Sequence, residues 1–116
     1  MCNQTELKRI TEAVSTAAYD IFNNKLDRVI LYGSYARGDY NEESDIDILV
    51  IVDYSAEDLI TYRKNMAKVC SGLSLSTEDC IMVSVALQDK ATFDRYRKAL
   101  PFFTNVEKEG VTIYAA

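Results

Sequence analysis

The chain has 116 residues, 48% of them hydrophobic, a formal net charge of −5 and no histidine. That size suits one domain, expected over residues 1–116, and the apolar content suits a packed core rather than a disordered chain. The missing histidine excludes a His-based zinc site, a Ser-His-Asp triad and a histidine general base, and the acidic balance argues against a free-standing nucleic-acid grip, which usually carries a basic patch.

Three cysteines, Cys2, Cys70 and Cys80, form no CxxC or Cys/His spacing, and free thiols fit a reducing cytoplasm. The longest apolar run, Ile48 to Val52, is far short of a membrane span, and no basic-then-apolar leader opens the chain. A soluble cytoplasmic protein without membrane contact is therefore expected.

In chain order, residues 5–22 carry Leu7, Ile10, Val14, Ala17, Ala18, Ile21 and Phe22 at helical spacing, with Asn3 and Glu6 as a cap and Asn23-Asn24 as the stop. Residues 28–32 read as a strand, Ser34 to Arg37 as a short helix or turn, and 39–44 as a polar loop. Residues 46–52 are almost continuously apolar, as in a strand buried on both faces. Ser55 and Asp58 form a capping-box pattern that opens a helix over 55–71, with Gly72 as its C-cap and Cys70 on its apolar stripe. A third strand is expected at 80–87 and a helix at about 90–100, capped by Asp89 and stopped by Pro101. Residues 102–109 read as irregular or briefly helical, and Val111 to Tyr114 as a last strand after Gly110. The pattern predicts an α/β (α+β) fold, a small mixed sheet of about four strands flanked by helices.

Chemistry concentrates between residues 29 and 52. Asp45 and Asp47 stand at i and i+2, so in a strand they share a face. Two carboxylates that close repel one another, and a divalent cation resolves the repulsion; Mg²⁺ is commonly held by one or two carboxylates together with substrate phosphates. Gly33 permits a sharp turn where a side chain would block a ligand, and the Ser34–Arg37 turn can aim N–H groups at an anion. Arg37 can contact a phosphate or brace the loop. Each of these features alone is weak, and the bland alternative is a tight strand-to-helix turn beside two solvated aspartates. A positive patch from Arg37, Lys90, Arg95, Arg97 and Lys98 more often forms a solvated helix face.

Taken together, Gly33-Ser34, Arg37-Gly38 and Ser44-Asp45-Ile46-Asp47 resemble the signature of the DNA polymerase beta-type nucleotidyltransferase superfamily. The short chain resembles its minimal nucleotidyltransferases, the MNT proteins encoded beside a HEPN partner. The stretch Leu100-Pro101-Phe102-Phe103 through Asn105, Glu109-Gly110 and Tyr114 is similar to the tail of small bacterial members. The resemblance implies a polymerase beta-like fold. It implies a phosphate site at Gly33, Ser34 and Arg37, and Mg²⁺ on Asp45 and Asp47. It also implies transfer of a nucleoside monophosphate, AMP from ATP, to a hydroxyl. The implied acceptor is a tyrosine of a HEPN-type toxin, which would make this chain an antitoxin.

The superfamily carries a third carboxylate near a later strand. Here Glu78, Asp79 and Cys80 precede Ile81 to Val85, and relatives often have Asp where this chain has Cys80. By strand parity Glu78 shares a face with Cys80, and Asp79 needs a bulge to turn inward. Asp79 is carried as the catalytic candidate, with Glu78 or no residue as alternatives. Two carboxylates still suffice for Mg²⁺-nucleotide, so losing the third should lower turnover more than binding. Two other readings stay open: a weakened nucleotide-binding module that neutralises a HEPN partner by binding, and a transferase to a small hydroxylated molecule. With no segment assigned to gripping an acceptor, a second chain or a homo-oligomer is expected to supply that grip.

Overall fold

A mixed four-stranded sheet in the order β3-β2-β1-β4 forms the centre of the computed structural model, which describes residues 3–77 and 81–116. Along the chain run α1 (Gln4–Phe22), a 3-10 turn (Asn23–Lys25), β1 (Leu26–Tyr32), α2 (Ser34–Arg37), β2 (Ile46–Val52), α3 (Ala56–Leu75), β3 (Val83–Asp89), α4 (Lys90–Tyr96), α5 (Pro101–Glu109) and β4 (Val111–Ala115). β1 pairs antiparallel with both β2 and β4, and β2 pairs parallel with β3.

Strand parity divides the core into two layers. Ile46, Ile48, Val50 and Val52 of β2 meet α1 and α3 through Ile10, Val14, Phe22, Leu59 and Met66. The opposite face, with Leu49, Ile51 and Ile30, meets Phe93 of α4 and Phe103 and Val106 of α5. β2 is thus covered on both sides, which its apolar run required.

The expected caps form. Asn3 Oδ1 accepts the Glu6 N–H at 2.8 Å, Ser55 Oγ accepts the Asp58 N–H at 3.2 Å, and Asp89 accepts the Thr92 N–H at 2.9 Å. Each satisfies an otherwise orphaned donor of a first helical turn.

Three boundaries differ from expectation. α3 runs through Gly72 to Leu75, and the Ser76 N–H closes it onto the Gly72 and Leu73 carbonyls with Ser76 in right-handed backbone, so no left-handed glycine is needed. β3 begins at Val83, because the backbone of Ile81 is tied to the end of α3 instead of a ladder. Its N–H donates to Thr77 Oγ1 at 2.8 Å, and its carbonyl accepts from Ser74 Oγ at 2.7 Å. Pro101 does not end a long helix; α4 stops at Tyr96, and Pro101 opens the nine-residue α5. The ring suits the first helical position, whose N–H is unpaired anyway, and it holds Leu100 in extended backbone (φ −89°, ψ 126°).

Candidate nucleotide site at the β1–β2 end of the sheet

The antiparallel β1–β2 pairing brings the sequence motif together. Tyr32, the last residue of β1, lies opposite Asp47 near the start of β2, and Asp47 lies beside Ser84 of β3. The glycine turn therefore sits at the same sheet end as the aspartates. Gly33 adopts φ 75°, ψ −156°, a conformation essentially confined to glycine. An added Cβ would stand 2.5 Å from Asp47 Oδ2, so this glycine is also what lets the carboxylate approach the backbone.

The turn offers fewer donors than the sequence suggests. The Ala36 and Arg37 N–H groups both donate to the Gly33 carbonyl at 3.1 Å. The Ser34 end is what remains to face an anion. Gly38 then ends α2 in left-handed backbone, φ 88°, with its N–H on the Ser34 carbonyl. Tyr35 anchors the turn from below; it is buried and stacks on Tyr40 of the following loop with centroids 4.3 Å apart.

Asp45 and Asp47 interact as the spacing predicts. Partial burial raises the Asp47 carboxyl above its ordinary value, the nearby Asp45 charge raises it further, and Arg37 draws it down. The same Asp47 charge, added to burial, raises the Tyr32 hydroxyl. A half-buried carboxylate repelled by its neighbour suits a hard divalent cation, which removes the repulsion and takes oxygen ligands. Among the described residues no group of three or more Asp, Glu, Cys or His could hold a metal. Glu78, Asp79 and Cys80, the expected region of a third carboxylate, lie outside the described residues.

Arg37 is an ion-pair hub. Its Nε is 3.1 Å from Asp39 Oδ2 and its Nη1 3.6 Å from Glu109 Oε2. Other members of the possible basic patch are engaged too: Arg97 with Glu107 at 2.7 Å, Lys90 with Asp94 at 3.2 Å, and Arg95 over the Tyr96 ring. They form a mixed-charge surface.

A cleft of about 230 Å³ is lined by Gly33 and Arg37, both expected at the phosphates, and by Tyr32, Phe102, Asn105, Val106 and Glu109, to which sequence reasoning gave no site role. One signal was available. Phe102 and Phe103 are adjacent on a helix and cannot share a face, so one of them must leave the core.

The chain belongs to the nucleotidyltransferase domain family, whose model matches residues 7–108. It is 36% identical over 109 residues to "Putative protein adenylyltransferase MJ0141" of Methanocaldococcus jannaschii, covering 92% of this chain and 94% of that protein. Its structure is similar to that of "a putative nucleotidyltransferase from Sulfolobus solfataricus", with TM-score 0.65, 25% identity, and coverage of 97% of this chain and 83% of the other. It also shares its fold with a chain of the tri-AMPylated Shewanella oneidensis HEPN toxin in complex with MNT antitoxin, at TM-score 0.54 and 21% identity, covering 94% and 73% of the two chains. No helix among the described residues is long and apolar enough to cross a membrane.

Proposed function

We propose that this nucleotidyltransferase moves AMP from ATP to a hydroxyl of a partner protein, a tyrosine of a HEPN-type toxin, and so acts as a cytoplasmic antitoxin. The observation that carries this reading is the approach of Asp47, with Asp45 beside it, to the Gly33 turn. The M. jannaschii relative supports protein as the acceptor class. The fold shared with the AMPylated HEPN toxin complex supports the partner.

In this reading Gly33 and Ser34 receive the triphosphate, and Arg37 exchanges a carboxylate partner for a phosphate oxygen. Asp45 and Asp47 would hold Mg²⁺, which supplies charge neutralisation at the phosphates when bound. The acceptor oxygen forms a new bond to the α-phosphorus, the bond from that phosphorus to the bridging oxygen breaks, and pyrophosphate leaves. Asp79 is the proposed acceptor of the hydroxyl proton, and Asp79→Asn should lower turnover more than nucleotide affinity. Catalysis by the chain is then chiefly positioning and charge placement.

The test is an intact mass of a HEPN-type partner after incubation with this protein, ATP and Mg²⁺. A gain of one or more AMP units, absent with Asp45→Asn/Asp47→Asn, is the expected result. A stable complex with no mass gain would replace this reading with neutralisation by binding. Transfer to a small hydroxylated molecule in place of the partner would also overturn it.

A further inference from the structure

The cleft beside Gly33 opens between the end of β1 and one face of α5. Phe102 is 45% exposed there, although Phe103 next to it is buried. Its ring meets Tyr32 edge-on, with centroids 5.4 Å apart and planes at 86°. Asn105, one helical turn further along α5, also lines the cleft, and its side-chain amide is engaged by no other described residue. An aromatic face and an uncommitted amide, side by side against the Gly33 turn, form a binding surface continuous with the phosphate residues Gly33 and Arg37, which line the same cleft.

Two features limit what this surface accepts. At about 230 Å³ the cleft is smaller than the roughly 300–1,000 Å³ of pockets that enclose whole drug-sized ligands, so it takes one flat ring system and not an entire nucleotide. The two charged residues that line it, Arg37 and Glu109, pair with each other, and Arg37 pairs with Asp39 as well. The cleft therefore offers a polyanion no net positive charge, so the triphosphate belongs on the Gly33–Ser34 side, where Arg37 at the shared edge can turn to it. The end of a nucleotide that is flat, uncharged and able to use both the donor and the acceptor of an amide is the base.

We propose that the cleft between β1 and α5 is a nucleobase subsite, with the base stacked on Phe102 and its hydrogen-bonding edge at Asn105. This rests on the nucleotidyltransferase reading above and adds where the nucleoside end is held. Stacking on an aromatic side chain depends little on base identity, because every base presents a π-face. Phe102 therefore supplies affinity, and Asn105 supplies preference among bases.

The experiment is titration calorimetry of the whole chain with Mg²⁺-ATP and, separately, Mg²⁺-tripolyphosphate, for the wild type, Phe102→Ala and Phe102→Tyr. Loss of the ring should weaken ATP binding roughly 5- to 150-fold. Tripolyphosphate binding should be unchanged, and Phe102→Tyr, which keeps the ring, should stay close to wild type. Equal weakening of both ligands would overturn the proposal, since it marks a distortion of the phosphate turn. Unchanged ATP affinity would overturn it as well, and a raised KM for the acceptor protein would then assign the cleft to the acceptor. A wild type that binds both ligands equally well refutes the subsite alone, whereas one that binds neither refutes the nucleotidyltransferase reading with it.

Discussion

Substituting Gly33 by alanine tests whether the turn conformation and the position of Asp47 are one device. At φ 75°, ψ −156° a non-glycine residue costs about 1–3 kcal/mol of backbone strain. For a domain of this size that corresponds to a fall in Tm of about 4–12 °C. The new Cβ would also stand 2.5 Å from Asp47 Oδ2, so the carboxylate must retreat by roughly 0.5–1 Å to reach a tolerable contact. Misplacing a reacting group by about 1 Å can cost on the order of a hundredfold in rate, so AMP transfer should fall about ten- to a hundredfold. Gly38→Ala is the control: its φ is also positive, 88°, but nothing lies within 4 Å of the added Cβ. It should lower Tm through about 1–2 kcal/mol of strain and leave transfer largely intact. Thermal melts and initial transfer rates on the two variants separate the effects. Equal transfer rates for the two would refute the link between the glycine and the carboxylate, and an unchanged Tm for Gly33→Ala would refute the strain.

Asp47→Asn should abolish transfer yet raise Tm at neutral pH in metal-free buffer. Because folding raises this carboxyl above its ordinary value of 3.8, the folded state is penalised for ionising it. That penalty is complete above the folded-state pKa and vanishes below 3.8, so the gain in Tm should shrink as the pH is lowered; melts across an acid series check the sign. Phe93→Ala removes a fully buried ring that packs edge-to-face on Phe103 and lies under the Arg28 guanidinium, and should cost about 3–5 kcal/mol in a denaturant titration. Asp89→Ala leaves the Thr92 N–H without its cap and should cost about 0.5–2 kcal/mol in the same titration, while Asp89→Asn should recover most of it.

The parts of the molecule legible in the sequence are those fixed by near neighbours. Asn3, Ser55 and Asp89 each accept an N–H three residues ahead, so the cap and its helix start are written together. Asp45, Asp47 and the apolar run after them announce a strand with carboxylates at one end. Parts fixed by distant contacts were not legible. Gly72 looked like a helix end, but the end is set at Ser76, and Thr77 and Ser74 then bind Ile81 and delay β3. Residues 102–109 read as irregular or briefly helical because their apolar residues are few; the helical alternative is the one that forms, and its burial comes from Phe103 and Val106 packing on a sheet face built mostly by β1 and β2. The Phe102–Asn105 cleft could not be placed beside Gly33 from the sequence, because that proximity exists only once α5 crosses the end of β1.

The glycine turn and the aspartates are joined by the β1–β2 ladder, which runs from Leu26 opposite Val52 to Tyr32 opposite Asp47, with β1 held on its other edge by β4. The segment proposed to carry the chemistry thus forms the innermost strand pair of the sheet. Its amide protons, from Val29 to Tyr32 and from Asp47 to Val50, can reach solvent only when the core itself opens, so they belong with the slowest to exchange for deuterium. Elsewhere a binding loop can fray while its scaffold stands. Here the carboxylate end of the strand pair and the hydrophobic centre share one cooperative unit, and metal or nucleotide bound at that end should slow exchange through the whole sheet.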